Sequence, residues 1–326
     1  MLKVINVASL YESLYAIANI CKKEENKEFE IIVPDKLSLF MEKFLFETLN
    51  LDASFTIKVS TLNRFAKKNV VIPKEKQIST HGSVLLIYKI LNENRERFSS
   101  LKSQRYTFTY AENIYATISQ LKASRIMPEE MLKFNSQDLR LTGKIQDLAI
   151  IYEQYETNKA GMLDASDMFL MSVFSVADGK ENANLYFVGF DDFTAIQYAI
   201  IERLALTANV NVMNYFSTNG NARIYNNEVF AQLKNIANIN QLPFEVKNAE
   251  VEISETKKFL QSNLFSFEKN KHILTNEIIK IFEANSDCQE LEFIARDIRS
   301  KVMDGETYEN FGVAVFGLEN KTHKIQ

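Results

Sequence analysis

The sequence predicts an α/β fold built on a parallel β-sheet, and one stretch shows why most clearly. Residues 185–188 form a short continuous apolar run, which is typical of a strand buried on both faces. An acidic turn at 189–192 follows, and Ile196, Ile200 and Leu204 then recur at helical spacing after a capping Thr194. A buried strand that leads through a polar turn into a helix is the usual functional edge of an open α/β sheet.

The same order of strand and helix recurs along the chain. Between the third and fourth strands the pattern is helical throughout, which predicts a helical insertion at 79–176 within a split domain formed by 1–78 and 177–275. Residues 276–326 are expected to begin a second domain, left incomplete. Strands are predicted at 3–8, 29–33, 55–59, 185–188, 210–215, 244–246, 278–284 and 311–316, and helices at 10–20, 37–49, 84–91, 108–121, 139–155, 168–176, 229–239 and 288–302.

The turn after the first strand lacks the features of a phosphate-binding loop. Such a loop has the pattern G-x-x-x-x-G-K-[ST], whose glycines let backbone N–H groups surround a phosphate. Residues 8–13 read Ala-Ser-Leu-Tyr-Glu-Ser, and the first glycine of the chain is Gly82. After the strand at 185–188, Gly189 and Phe190 stand where a metal-binding carboxylate is needed. The sequence therefore predicts a nucleotide-binding architecture without nucleotide chemistry.

Composition narrows the class of protein. No apolar run approaches the length of a membrane span, and no signal peptide is visible. Cys21 and Cys288 form neither a disulfide framework nor a metal-binding pattern, which indicates a reducing cytoplasm. The formal net charge is −4, so the chain as a whole is not a basic nucleic-acid binder.

The charge is unevenly distributed, however. Residues 54–110 contain eleven basic and three acidic residues, a formal charge of +8 on an acidic chain. This basic block is consistent with a polyanion-binding surface or with solvated helix faces. Aromatic residues lie in and beside the block and either stack nucleic-acid bases or form a core stripe: Tyr106, Phe108, Tyr110 and Tyr115.

Two strand-to-helix turns carry polar residues suited to a nucleic-acid backbone. Lys36 and Ser38 stand at the start of a helix, where free N–H groups favour an anion or where the two residues form an ordinary cap. Residues 60–64, Ser-Thr-Leu-Asn-Arg, open the next helix with hydroxyl, amide and guanidinium groups.

Several segments, taken in order, resemble the N-terminal region of the B subunit of AddAB-type (RexB) ATP-dependent helicase/nucleases. The most specific is Val-Gly-Phe-Asp-Asp-Phe-Thr at 188–194. The resemblance covers nearly the whole chain. Its other segments are 32–38 with 41–42, 59–66, 144–148 with 151–155, 284–295 and 312–315.

The resemblance implies a RecA-like, P-loop NTPase-like sheet of an inactivated superfamily-1 helicase, without ATPase or nuclease activity in this chain. It further implies an A subunit as partner and binding of the 3′-ended single DNA strand. The iron–sulfur cluster and Mg²⁺ of the family belong to a nuclease domain far beyond residue 326, so no cofactor is expected here. The residues carried over as contacts to the DNA strand are Lys36, Ser38, Leu62, Arg64, Lys67 and Phe193. The turn at 60–64 adds Ser60, Thr61 and Asn63. Leu62 and Lys67 depart from the expected aromatic residues.

Two other functions stay open on the sequence alone. The basic block could face the A subunit, making the chain a protein–protein scaffold without DNA contact. Alternatively, Asp35, Asp191 and Asp192 could hold a metal ion for hydrolysis, although no histidine supports them. His81, His272 and His323 are isolated in the sequence.

Overall fold

The computed structural model contains two units, residues 1–270 and residues 271–326. It describes residues 1–24, 27–68, 70, 73, 76–215, 223–249, 255–263 and 281–315.

The first unit is organised around a six-stranded sheet whose strand pairs are all parallel. The order across the sheet is β3-β2-β4-β5-β1-β6, so β5 separates β1 from β4. The predicted α/β fold class is therefore confirmed. The strands are β1 Leu2–Val7, β2 Phe29–Val33, β3 Ile57–Thr61, β4 Asn184–Phe187, β5 Asn209–Tyr215 and β6 Phe244–Asn248.

Helices cover both faces of this sheet, and in the described part of the chain six α-helices follow one another between β3 and β4. Among the described residues, no helix combines the length and the apolar character that a membrane crossing requires. The helices are α1 Leu10–Lys23, α2 Ser38–Leu49, α3 Leu62–Lys67, α4 Thr80–Glu93, α5 Phe108–Ala123, α6 Pro128–Leu132, α7 Leu139–Asn158, α8 Ala165–Ser175, α9 Ala195–Ala205, α10 Arg223–Ile239, α11 Glu255–Asn263 and α12 Asp287–Met303.

Alternation along the strands divides the core between the two faces of the sheet. Leu2 and Val4 of β1 pack with α3, α9 and α10 on one face. Ile5 and Val7 pack with α1 and α2 on the other. Helices α4, α5 and α7 build a third core of their own, which includes Tyr106.

Most of the aromatic residues in and beside the basic block belong to this third core. Tyr106 is buried, and the guanidinium of Arg95 lies 4.2 Å from the centre of its ring. Tyr110 and Tyr115 pack against the same core, whereas Phe108 is exposed. The core-stripe interpretation therefore holds for three of the four aromatic residues. Several basic residues form ion pairs, including Lys58 with Glu28, Lys89 with Glu93 and Lys102 with Glu96.

The second unit is described over residues 281–315. Helix α12 confirms the predicted helix at 288–302, and Ser286 caps it by accepting a hydrogen bond from the Gln289 N–H. The strands predicted at 278–284 and 311–316 are wrong for residues 281–284 and 311–315, which have no regular structure. An apolar run forms a strand only beside a partner, and the described part of this unit offers none. How this unit relates to a second RecA-like domain stays a prediction.

Candidate nucleic-acid interface

The carboxyl ends of β2, β3 and β4 meet at one edge of the sheet. Val33 of β2 lies opposite Thr61 of β3, and the Val188 N–H after β4 donates to the Ile32 carbonyl at 2.9 Å. The chain leaves β2 towards α2 on one face and leaves β4 towards α9 on the other. Neighbouring strands whose connections diverge in this way leave a crevice between them.

That crevice is a cleft of about 660 Å³. Its walls come from the turns after β2 and β4 and from helices α3, α5, α8 and α9. All but one of the polar side chains in the wall are carboxylates, amides or hydroxyls, and one is an ammonium group: Asp35, Asn63, Lys67, Ser166, Asp191, Asp192 and Gln197.

Gly189 is required where the β4 turn closes one side of the cleft. Its φ is +82°, in the left-handed region that side chains disfavour. A Cβ there would lie 2.5 Å from Cδ2 of Leu37. The close approach brings the β4 turn against the β2 turn, so glycine serves both backbone conformation and packing.

The residues predicted to contact a DNA strand divide by exposure. Lys36, Asn63 and Arg64 are exposed, and Ser38, Ser60 and Lys67 are half-buried. Thr61, Leu62 and Phe193 are buried. Thr61 caps α3, because its hydroxyl oxygen accepts a hydrogen bond from the Arg64 N–H at 3.3 Å.

Leu62 and Phe193 belong to the hydrophobic core beneath the cleft. The ring of Phe193 lies 4.9 Å from that of Phe190 and 5.5 Å from that of Tyr198, measured between centroids. Packing accounts for both residues in this conformation, and their contact with a strand stays a prediction.

Lys67 reaches the cleft from α3. Burial lowers the pKa of its ammonium group, and the charge of Asp164 raises it in part. Asp192, on the opposite side, accepts hydrogen bonds from its neighbour Phe193 N–H at 2.7 Å and from the Tyr198 hydroxyl at 3.4 Å. Burial first, and Asp192 second, raise the pKa of Tyr198.

The proposed metal site at Asp35, Asp191 and Asp192 has no support in the described part of the chain. The one cluster there with three carboxylates close enough to share a cation is Glu156, Asp164 and Asp167. Two lysine ammonium groups already lie within it.

The turn after β1 is closed by its own side chains. The Ala8 N–H donates to Oε2 of Glu12 at 2.8 Å, and the Glu12 N–H donates to the Ser9 hydroxyl at 3.2 Å. Glu12 is buried, and its carboxylate lies at the turn where a phosphate-binding loop would bind an anion. The Ser-x-x-Glu spacing of Ser9 and Glu12 is the sequence signal for such a self-satisfied helix start.

Tyr215 lies nearby at the end of β5. Burial, and then the charge of Asp191, raise the pKa of its hydroxyl to about 12, although a hydrogen bond with Ser13 acts the other way.

An all-parallel sheet with β5 between β1 and β4, helices on both faces and a cleft at the strand ends defines a RecA-like α/β protein. Within that class, the chain belongs to the family described as "ADDB, N-terminal", whose model matches residues 11–275. The predicted resemblance is thus confirmed.

Curated relatives share low identity over most of the chain, and the three that follow are each named as the B subunit of an ATP-dependent helicase/deoxyribonuclease. The protein of Clostridium novyi (strain NT) is 25% identical over 94% of this chain and 29% of its own length. That of Clostridium botulinum (strain Langeland) is 24% identical over the same shares. That of Staphylococcus saprophyticus is 22% identical over 87% of this chain and 26% of its own length. The chain thus spans less than a third of these relatives.

Proposed function

We propose that this chain is a non-catalytic region of the B subunit of an AddAB-type helicase/nuclease, and that it binds the 3′-ended single DNA strand. The whole protein would act in the cytoplasm, together with an A subunit, on broken DNA ends destined for recombinational repair. Family membership and the names of the relatives support this role.

The observation that carries the proposal is the pair of exposed cations at neighbouring strand ends. Lys36 and Arg64 each lie three residues beyond the register pair Val33 and Thr61. Neither forms an ion pair with another described residue, so both charges are available to phosphates. The exposed amide of Asn63 and the cleft beside it offer room for sugar and base.

Fluorescence anisotropy of a labelled single strand across a salt series tests strand binding. We expect Arg64→Ala to weaken binding roughly fivefold and to reduce the salt slope by about 0.7, because one phosphate contact is lost. Arg140→Ala, at an exposed arginine on α7, is the matched control and should change neither value. Equal effects of the two variants would contradict the assignment of the site.

The absence of nucleotide chemistry is a second part of the proposal. The self-satisfied turn at Glu12 and the missing glycines argue against a phosphate site after β1. We expect the pure chain to show no ATP turnover and no Mg²⁺-dependent cleavage of DNA. Turnover that disappears on Asp191→Ala would instead establish the hydrolase. We assign no cofactor to this chain, and we expect any iron–sulfur cluster or Mg²⁺ in the remaining length of the protein.

A scaffold that docks the A subunit without touching DNA is the second candidate. Exposed apolar side chains on α1 and α2 favour it, since Leu39 is 78% and Phe40 is 53% accessible. Leu39→Ser should then weaken binding to the A subunit at least tenfold, roughly the effect of losing one well-buried interface side chain. Leu85→Ser, at an exposed leucine on α4, should not. Strand binding by the chain alone would contradict the scaffold as sole function.

A further inference from the structure

A buried cluster of charges lies next to the cleft, and the proposed function does not use it. Lys122 of α5 contacts Asp164 at 2.7 Å and Asp167 at 2.8 Å, and it pairs with Glu156 at 2.6 Å. Lys159, just beyond α7, contacts Asp167 and lies 2.8 Å from Glu156. The two lysines and Asp164 are almost fully buried. These five residues are called the charge cluster below.

The charge cluster fixes the start of α8. Asp164 caps this helix, because its Oδ1 accepts hydrogen bonds from the Ser166 and Asp167 N–H groups, both at 2.9 Å. Its Oδ2 accepts from Lys122 and from the Tyr155 hydroxyl, at 2.7 and 2.9 Å. One carboxylate thereby joins the first turn of α8 to α5 and α7.

Asp164 and Lys122 hold each other in their charged forms. Burial alone would raise the pKa of Asp164, but hydrogen bonds and charge from Lys122, with Lys159, lower it to about 2. Burial would lower the pKa of Lys122, but its hydrogen bonds with Asp164, Asp167 and Glu156 raise it above its usual range. Two ammonium groups against three carboxylates leave a formal charge of −1.

The residues that the cluster holds form one wall of the cleft. Ala165, Ser166 and Phe169 of α8 line it, as does Ala123, which follows Lys122 in α5. Lys67 lines the same cleft from α3, and its ammonium group interacts with the charge of Asp164. Asp35, Asp191 and Asp192 line the same cleft as Lys67, and Arg64 and Lys68 are close to it in sequence.

We propose that the charge cluster is a positioning device for Lys67, which holds α8 opposite α3 and keeps a negative charge behind the ammonium group that meets the DNA phosphate. The phosphate contact rests on the proposed function, whereas the effect of the cluster on Lys67 does not. Lys122 and Asp164 are therefore positioning residues, since neither lines the cleft.

Two variants that break the same contact separate charge from structure. Asp164→Asn removes a negative charge from the cluster, and Lys122→Met removes a positive one. A purely structural role predicts similar effects of both. An electrostatic role predicts that Lys67 loses its proton at lower pH in Asp164→Asn and at higher pH in Lys122→Met.

The measurement is a pH titration of the Lys67 side-chain carbon signal by NMR on the whole 326-residue chain, without DNA, with Lys67→Met to assign the signal. Strand binding is measured in parallel as a function of pH. Binding should weaken about fivefold as Lys67 deprotonates, the loss expected for one phosphate contact, and Lys67→Met should abolish this pH dependence. Circular dichroism shows whether each variant is folded. Asp167→Asn and Lys159→Met replace the first pair if either member fails to fold.

Opposite shifts of the Lys67 titration in the two variants would support the proposal. Shifts in the same direction, or none, would overturn it whether or not DNA binds. Opposite shifts in a chain that binds no strand would support the effect of the cluster and refute the proposed function, so the two failures are distinguishable.

Discussion

The carboxyl edge of the sheet is closed after β1 and open after β2, β3 and β4. After β1, the Ala8 N–H is satisfied by Glu12 and the helix start by Ser9. After the other three strands, exposed Lys36 and Arg64 stand beside a cleft of about 660 Å³. Both regions occupy the position in the fold at which α/β proteins usually bind ligands.

The difference shows that fold position alone does not make a binding site. A strand-to-helix turn attracts an anion only while its N–H groups and cations lack partners within the protein. After β1, the Glu12 carboxylate accepts a hydrogen bond from the Ala8 N–H, and the Ser9 hydroxyl accepts one from the Glu12 N–H. At the edge after β2, β3 and β4, Lys36 and Arg64 remain exposed. The charge cluster there holds α8, which forms one wall of the cleft.

Phe193→Ala gives the largest expected effect and tests what supports the open part. We expect a loss of about 3 to 4 kcal/mol in the free energy of unfolding, because the buried ring packs against Phe187, Phe190 and Tyr198. Urea unfolding measures this loss. Phe190→Ala, at a half-buried ring in the same cluster, should cost less. If Phe193→Ala instead weakened strand binding with stability unchanged, the ring would be a contact residue rather than a core residue.

Acid should weaken the wall of the open part through Asp164. The pKa of the Asp164 carboxyl group falls from its ordinary value of 3.8 to about 2 in the folded protein. The Asp164 carboxylate therefore stabilises the folded state above about pH 4. This contribution, about 2 kcal/mol, is lost as the pH falls through 2. The stability difference between wild type and Asp164→Asn should therefore shrink on acidification, as followed by thermal unfolding. Asp52→Asn, at an exposed aspartate, is the control, and a difference that grew with acid would contradict the assignment.

Gly189→Ala tests the turn that closes one side of the cleft. Its positive φ and the approach of Leu37 together should cost roughly 1.5 kcal/mol or more. Gly161→Ala is a close control, since Gly161 has φ +81° and no atom within 4 Å of the added Cβ. That variant should cost only about 1 kcal/mol, because conformation alone opposes it. Equal losses in chemical denaturation would mean that Leu37 moves aside freely.

The sheet could be predicted from sequence because each strand is a short apolar run followed by a helical pattern. The same signal failed at 311–315, where apolar residues have no strand partner in the described part of their unit. It also placed β3 two residues early, since Phe55 is apolar but 92% exposed. The strand pairs through Thr61 because β2 fixes its register.

The candidate site could be predicted only where it depends on local sequence. Lys36 lies in the connection between β2 and α2, and Asn63 and Arg64 lie in the first turn of α3; all three are exposed at the ends of these elements. The burial of Phe193 depends on neighbouring rings, which sequence spacing does not reveal. The charge cluster was missed for a similar reason, because Lys122 and Asp164 are 42 residues apart and meet only through helix packing.

Glu12→Ala gives the smallest expected effect and tests whether the closed part is closed by its own carboxylate. Removing the acceptor leaves the Ala8 N–H unsatisfied, so we expect a loss of about 1 kcal/mol in the free energy of unfolding. Glu12→Gln, which keeps an acceptor oxygen, should lose less, and Glu47→Ala, at an exposed glutamate on α2, should lose almost nothing. Thermal unfolding with and without ATP completes the comparison: ATP should leave the wild-type midpoint unchanged, since neither a glycine loop nor a lysine is present to hold its phosphates. A rise of that midpoint with ATP would mean that the turn after β1 opens to bind phosphate. The turn after β1 and the edge after β2, β3 and β4 would then differ only in how readily they bind an anion.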